Sequence, residues 1–110
     1  MVQIAFLYLG DNVPSTKRDE NMKDLYSWMD TLGKTGKVVQ MGAPFAQAGK
    51  VLQSDGKQLD YDSKKASDVT GYTIVEAASL EEAIALTKGC PQLNPLYGKG
   101  SLEVRTVIPM

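Results

Sequence analysis

"GYTIVEAASLEEAIALTKGCP", residues 71–91, decides the fold predicted for this chain. It opens with a strand-like run as far as Ala77, continues as a helix and ends at Gly89 and Pro91, both of which stop helices. Ser79 and Glu82 have the spacing of a capping box, in which each side chain bonds the other residue's amide. The predicted inward face of this helix is Leu80, Ala83, Ile84 and Thr87, with Leu86 beside it.

Working outward from this unit, the chain shows further strand patterns and one longer helix. The predicted strands span residues 2–9, 37–42 with an extension to 45, 71–77 and 101–108. A small hairpin is predicted at 50–54 and 58–61, around a type I′ turn at Asp55-Gly56. The loops are 62–70, which is polar, and 92–100, which is rich in Pro and Gly.

The longer helix lies between the first two strands. Its apolar stripe is Met22, Leu25, Tyr26, Met29 and Leu32, flanked by Trp28. Its N-cap is Ser15, Thr16 or Asp19, and it ends at Gly33 or Gly36. Without the hairpin, the order of elements is β-α-β-β-α-β, the ferredoxin-like unit. The sequence therefore predicts one α+β domain over residues 1–110, with the small hairpin as an extra element.

The first strand is apolar on both of its faces. One face carries Val2, Ile4, Phe6 and Tyr8, and the other carries Gln3, Ala5, Leu7 and Leu9. Two helices cover only one face of a sheet, so the second face is predicted to pack on another copy of the chain. A homodimer built through the open sheet face, an α/β barrel dimer, follows. The alternative is an ordinary central strand with a mild apolar excess.

Composition excludes several classes of function. The net charge is −1 and the basic residues form no cluster, so nucleic acid is not an expected partner. The chain has no histidine, which removes the commonest general base and zinc ligand. The loop "LYGKGS" at 96–101 lacks the spacing of a phosphate-binding motif, and no cofactor or metal is expected. One cysteine and no apolar run long enough for a span predict a cytoplasmic protein without membrane contact.

Several stretches resemble the YCII-related family, also called the DGPF domain family. The similar segments are "FLYLGD" (6–11), "GKVVQMGAPFAQAGKVLQSDGK" (36–57), residues 71–91 and "GSLEVRTV" (100–107). The resemblance implies a dimeric ferredoxin-like fold; a few relatives are enzymes acting on small aromatic or lactone-like substrates, and many have no known activity. The chain departs from the family at "DSKK" (62–65), where Asp-Gly-Pro-Phe is usual, at Thr106, where a proline is usual, and in having no histidine on the first helix.

Asp62 and Asp11 are the candidate catalytic residues. In a groove with apolar walls, the pKa of the Asp62 carboxyl can rise enough for acid/base chemistry. Asp11 follows the first strand and can face a cleft at the end of that strand. Each has a structural alternative, since aspartate is equally typical of solvated turns and helix caps.

Tyr8, Glu103 and Arg105 are the candidate ligand-binding residues. Glu103 and Arg105 are two apart, hence on one face of a strand, where the arginine can hold a carboxylate or the two can form an ion pair. Tyr8 belongs to an aromatic set that lines a pocket or packs in the core, and its other members are Trp28, Tyr61 and Tyr72. Cys90 lies past the C-terminal end of a helix, which raises a thiol pKa, and is interpreted as a packing residue.

Two hypotheses about function remain open. The first is a homodimeric binding or interaction module that holds a small molecule. The second is a small-molecule isomerase or lyase that uses carboxylate acid/base catalysis without histidine, through Asp62 or Asp11, with Arg105 holding the substrate.

Overall fold

The computed structural model describes residues 1–10, 13–46, 48–61 and 68–110. Its strands are β1 (Val2–Leu9), β2 (Val38–Gln40), β3 (Lys50–Leu52), β4 (Gln58–Asp60), β5 (Val69–Ala77) and β6 (Ser101–Thr106), and its helices are α1 (Arg18–Gly33) and α2 (Leu80–Leu86). The main sheet has four strands in the order β2-β5-β1-β6, all neighbours antiparallel. This α+β arrangement of two helices and a four-stranded antiparallel sheet is compatible with the predicted ferredoxin-like fold.

The core lies between the sheet and the two helices. Strand alternation turns Ile4, Phe6 and Val75 toward the helices, and all three are completely buried. Trp28 and Leu32 from α1 pack against them. Burying side chains of this size contributes about 1.5–3 kcal/mol each, so this one layer of contacts is the main source of stability.

The face that α1 turns inward differs from the predicted stripe. Trp28 and Leu32 are buried, whereas Tyr26 is 62% exposed. The prediction that Tyr26 packs inward is therefore wrong, because the helix is rotated so that Trp28 takes the central position. The N-cap is Lys17, which follows a 3-10 turn at Ser15–Lys17 and makes no side-chain cap. None of the three predicted N-cap residues holds that position, although Gly33 is the predicted end of the helix.

Half of the predicted capping box forms at α2. The Ser79 hydroxyl accepts from the Glu82 amide at 3.1 Å, as predicted. The Glu82 carboxylate instead accepts from the Lys37 ammonium at 2.6 Å, and this bond lowers the pKa of Glu82. The pair ties the start of α2 to the residue before β2. The buried face of α2 is Ala83 and Thr87, while Leu80 and Ile84 are exposed, contrary to prediction.

Several predicted strand limits also change. β2 covers only residues 38–40 because its register with β5 shifts between Val38 and Gln40 and the chain then leaves the sheet. β5 begins two residues earlier than predicted and β6 ends two residues earlier. The hairpin turn is not type I′, since Gly56 is its one residue with positive φ; the three residues between Gln53 and Lys57 fit a turn closed by a glycine bulge.

The hairpin of β3 and β4 projects from the body as a separate two-stranded ribbon. Every residue from 50 to 60 is exposed, including Leu52 at 71%. Val51 pairs with Leu59, and Lys50 forms an ion pair with Asp60 at 2.5 Å. The radius of gyration is 15.1 Å, against about 13 Å for a compact domain of this length. The described part of the chain has no helix that is both long and apolar enough to cross a membrane.

Candidate functional site

A cleft opens between α1, residues 41–45 and one end of the main sheet. It consists of two adjoining hollows of about 160 and about 70 Å³. Both hollows are lined by Leu25 from α1, Pro44, Thr70 from β5 and Gln92. The remaining described lining residues are Tyr8, Gly10, Val13, Asn21, Met22, Met29, Met41, Gly42, Ala43, Phe45, Tyr61, Gly71, Tyr72, Thr73, Pro91, Tyr97 and Gly100. Apolar and aromatic side chains therefore dominate the walls.

Two linked hydrogen bonds join residues that line the smaller hollow. The Thr73 hydroxyl donates to the Met41 carbonyl at 2.7 Å, and its oxygen lies 2.8 Å from the Tyr8 hydroxyl. Since the single proton of Thr73 is used on the carbonyl, the Tyr8 hydroxyl is the donor to Thr73. The Tyr8 oxygen is then left with its lone pairs, so it presents a hydrogen-bond acceptor to whatever enters the cleft.

Tyr8 is held in place by its surroundings. Its ring stands edge-on against Trp28, with ring centroids 6.4 Å apart and an interplanar angle of 88°. Burial raises the pKa of Tyr8 to about 12, with the hydrogen bond to Thr73 acting in the opposite direction. The hydroxyl therefore stays protonated and neutral throughout the physiological pH range.

The described walls of the cleft are uncharged. Among the residues that the structure describes, the lining contains no Asp, Glu, Lys or Arg. An ion that enters such a site loses its hydration without gaining a counter-charge, which is strongly unfavourable. The walls consequently favour an uncharged molecule.

Residues 41–45 form one wall because the backbone of β5 holds them closely. The Phe45 amide donates to the Thr70 carbonyl at 2.8 Å. Gly42 has φ +72°, and a Cβ added to it would lie 2.1 Å from the Tyr72 carbonyl oxygen. Only glycine has both the backbone freedom and the space for this approach.

Gln92 lines both hollows, and two hydrogen bonds hold its side chain in place. Its side-chain amide donates to the carbonyls of Leu9 and Gly10 at 2.7 and 3.1 Å. These bonds join the loop after α2 to the end of β1. Tyr97, in the same loop, donates a hydrogen bond to the Asp24 carboxylate on α1, and that bond together with burial raises the pKa of Tyr97 to about 12.

The predicted aromatic set is partly brought together. Tyr8 and Tyr61 line the cleft, whereas Trp28 lies behind Tyr8 in the core. Tyr72 also borders the cleft, but its side chain lies on the other face of the sheet, beside Leu7. The Tyr61 hydroxyl donates to the Asp68 carboxylate. The backbone carbonyl of Asp68 in turn accepts from the Gly10 amide at 2.8 Å. Asp68 therefore connects Tyr61 with Gly10, and both of these residues line the larger hollow.

Both candidate catalytic residues, Asp11 and Asp62, lie outside the residues that the structure describes. Their neighbours in the chain are described, however. Gly10 precedes Asp11 and Tyr61 precedes Asp62, and both of these neighbours line the larger hollow.

Glu103 and Arg105 do not join Tyr8. In the register of β6 with β1, Tyr8 is opposite Leu102, while Leu7 is opposite Glu103 and Ala5 is opposite Arg105. The two charged residues therefore lie on the sheet face away from the helices. Both are exposed, and within the described residues neither has an ion-pair partner.

That open face of the sheet is covered by no helix of the described chain. Its centre is Ala5, Leu7, Tyr72 and Ile74, all half-buried. Gln40 from the edge strand donates to the Tyr72 hydroxyl at 2.6 Å. An apolar centre with Glu103 and Arg105 along one edge has the composition of an interface, with an apolar core and a charged rim.

Cys90 is not part of the cleft lining. It is a free, buried thiol in the core cluster, and burial raises its pKa from 9.0 to about 11. Its burial in the core cluster confirms the interpretation as a packing residue, and a thiol that stays protonated at neutral pH is a poor nucleophile. The described residues also contain no group of three or more acidic, Cys or His side chains placed to hold a metal ion.

Sequence reasoning missed the wall at residues 41–45, as well as Thr73 and Gln92. The strand predicted over 37–42, with its extension to 45, included this segment, whereas β2 ends at Gln40 and the chain leaves the sheet there. No pattern in the sequence indicates that this segment then folds against β5 beside Tyr8.

Comparison with known proteins agrees with the resemblance seen in the sequence. The family model described as the YCII-related domain matches residues 4–110, nearly the whole chain. No curated protein matches the chain significantly.

Proposed function

Because the chain belongs to the YCII-related family, whose model covers almost all of it, we propose that it acts as a homodimeric module that binds a small uncharged molecule beside Tyr8. The observation that carries the ligand class is the cleft itself: mainly apolar walls, no charged lining residue among those described, and the half-buried Tyr8 hydroxyl oxygen able to accept a hydrogen bond. Such a site selects by shape and by one polar contact.

The size of the cleft supports a small ligand. Pockets for drug-sized molecules usually measure about 300–1,000 Å³. The two hollows measure about 160 and about 70 Å³. A molecule with one ring or a short chain and an N–H or O–H group suits this space, with its donor directed at the Tyr8 oxygen.

The open sheet face supports the homodimer. The molecule measures only 18 Å along its shortest principal axis, which corresponds to one sheet and one helix layer. The half-buried Ala5, Leu7, Tyr72 and Ile74 gain a covering layer if a second copy packs its own sheet there.

The single buried Cys90, which has no internal disulfide partner, supports our proposal of a cytoplasmic location.

Three fragments of equal ring size test the ligand class: neutral benzamide, anionic benzoate and cationic benzylammonium. Titration at pH 7.4, followed by NMR shifts of the protein amides, should show benzamide perturbing Gly42, Thr70 and Gln92, with weaker or no response to the ions. Stronger binding of either ion would refute the proposed class. Native mass spectrometry of freshly purified protein should identify any molecule already held.

A matched pair of variants tests the contact to Tyr8. Tyr8→Phe removes the acceptor but leaves the bond from Thr73 to Met41 in place, so we expect benzamide binding to weaken about three- to tenfold. Tyr26→Phe makes the same chemical change on the exposed side of α1 and should leave binding unchanged. Equal effects of the two variants would contradict the assignment of Tyr8.

Light scattering tests the assembly. A homodimer has twice the chain mass of 11.9 kDa. A monomer at micromolar concentration would contradict the proposed packing of the open face.

One observation favours a second function, a small-molecule isomerase or lyase. Gly10 and Tyr61, which immediately precede Asp11 and Asp62, line the same hollow. If the molecule recovered by native mass spectrometry is a substrate, incubation with fresh protein should convert it to an isomer of equal mass or to two smaller products. Either Asp11→Asn or Asp62→Asn, according to which of the two is the catalytic carboxylate, should then abolish conversion while retaining binding. Binding without conversion in the unaltered protein supports the binding module instead.

A further inference from the structure

We infer that Glu103 and Arg105 form two reciprocal ion pairs across the dimer and thereby determine both its partner and its orientation. The inference rests on the proposed homodimer through the open sheet face. Its starting point is that these two charges are exposed, opposite in sign, without an ion-pair partner among the described residues, and placed beside the apolar centre of that face.

The register of the sheet arranges the open face in two rows that run across the strands. One row is Arg105, Ala5 and Ile74, and the other is Glu103, Leu7 and Tyr72. Each row therefore has a charged residue at the β6 edge and apolar residues on the two central strands. The rows are adjacent, because their members are two residues apart along each strand.

A two-fold axis can lie in the plane of a face-to-face interface in two simple directions. If it runs across the strands between the two rows, each strand stacks on its own copy in the antiparallel direction. Arg105 then faces Glu103 of the partner subunit, and Ala5 and Ile74 face the other row's apolar residues. Within these two rows, each charge meets an opposite charge and each apolar residue meets another residue of the apolar centre.

The other direction gives a poor match. If the axis runs along the strands, β6 stacks over the opposite edge of the partner's sheet, where β2 carries Gln40. Glu103 and Arg105 then have no charged residue to face and are left beside amide and apolar groups. Desolvating a charge without a partner is unfavourable, so the charge pattern selects the first direction.

The distances suit the first direction. Packed sheets lie about 10 Å apart, and the long side chains of arginine and glutamate reach toward each other across such a gap. At the β6 edge the pairs lie at the rim of the interface, where opposite charges favour the correct partner and like charges suppress wrong ones. The occupant chosen by this pattern is a second copy of the chain, because the pattern is complementary to itself.

Charge reversal tests the inference. Glu103→Arg gives two positive residues and Arg105→Glu gives two negative residues on the same edge. Each variant alone should raise the dimer dissociation constant roughly tenfold or more, measured by analytical ultracentrifugation. Mixed together, the two variants should form a heterodimer preferentially, because every contact is then between opposite charges. The double variant Glu103→Arg/Arg105→Glu should dimerise within about threefold of the unaltered chain.

Two control variants carry the same changes in charge on the helical side. They are Glu81→Arg and Lys23→Glu, both at exposed positions, and neither should change the dissociation constant or form a preferred heterodimer. Circular dichroism of each single variant shows whether it folds. Heterodimer formation in the mixture shows independently that both variants are folded.

The outcomes separate this inference from the proposal beneath it. If the unaltered chain is a monomer, the proposed homodimer fails. If it is a dimer and the Glu103 and Arg105 variants dimerise like their controls, the homodimer stands and the reciprocal ion pairs are refuted. Weakened single variants without a preferred heterodimer also refute the pairing. Selective heterodimer formation together with recovery in the double variant supports it.

Discussion

Replacement of Gly42 by alanine is predicted to destabilise the protein more than replacement of any exposed glycine. Gly42 has φ +72°, and its Cβ would lie 2.1 Å from the Tyr72 carbonyl oxygen. No flexible side chain can yield at this contact, because the opposing atom is backbone of a central strand. The added methyl group therefore has to push residues 41–45 away from β5.

Three additive effects give the magnitude. A non-glycine residue with left-handed φ costs about 1–2 kcal/mol. Overpacking of a tight contact costs about 1–3 kcal/mol. The hydrogen bonds from Thr73 to the Met41 carbonyl and from Phe45 to the Thr70 carbonyl flank the site, and weakening one costs up to about 1 kcal/mol. We expect Gly42→Ala to lose about 2–6 kcal/mol, a large part of a typical total of about 5–15 kcal/mol.

Two other glycines separate these effects. Gly36 has φ +74° but no atom within 4 Å of an added Cβ, so Gly36→Ala should lose only the conformational part, about 1–2 kcal/mol. Gly33 ends α1 with ordinary φ and no nearby atom, so Gly33→Ala should be neutral or stabilise the protein by about 0.5–1 kcal/mol. The three Gly→Ala substitutions thus separate the cost of a left-handed backbone conformation from the cost of the close contact at Gly42.

Urea unfolding followed by circular dichroism measures the free energy of unfolding of each variant. The slope with urea should be the same in all of them, which shows that the native and unfolded states expose comparable surface. If Gly42→Ala is no less stable than Gly36→Ala, the close approach of residues 41–45 to β5 is wrong, and with it the inner wall of the cleft.

Three further predictions concern the core and the helix caps. Ser79→Ala should destabilise the protein by about 0.5–2 kcal/mol in the same urea assay, because it removes the N-cap of α2. Thr73→Val keeps the shape of a completely buried side chain but leaves the Tyr8 hydroxyl and the Met41 carbonyl unpaired, so a loss of about 1–3 kcal/mol is expected; a neutral result would refute the hydrogen-bond chain. The raised pKa of Cys90 predicts that stability is lost as pH rises from 9.0 toward about 11, because the unfolded thiol ionises first in that range; the loss between pH 8.5 and 10.5 should be smaller in Cys90→Ala, and identical pH profiles would contradict the burial of the thiol.

The local parts of the fold were predictable because their causes are local. β1 has the predicted limits, since its run of β-branched and aromatic residues ends at Leu9 before a turn cluster. The serine cap of α2 follows from the spacing of Ser79 and Glu82 alone. By contrast, Tyr26 and Trp28 both fit an apolar stripe within the freedom of a helical pattern, and only contact with the sheet decides which one is buried.

The site was less predictable because it depends on the register of β6 with β1 and on the packing of residues 41–45 against β5. Alternation correctly placed Glu103 and Arg105 on one face. Whether that face is also the face of Tyr8 depends on the pairing of β6 with β1, and a slip of one residue would reverse the answer. The wall at 41–45 arises from the register shift after Val38, which leaves no mark in the hydrophobic pattern.

Trp28 gives the molecule a built-in optical reporter. It is the only tryptophan in the chain, it is 7% exposed, and its indole is met edge-on by the Tyr8 ring. A ligand that shifts the Tyr8 ring changes the environment of the Trp28 indole. Ligand binding can therefore be followed by the intrinsic fluorescence of Trp28, without a dye or a label. The same indole sits on the side of the sheet opposite Glu103 and Arg105, so its emission should register events in the cleft with little contribution from subunit association.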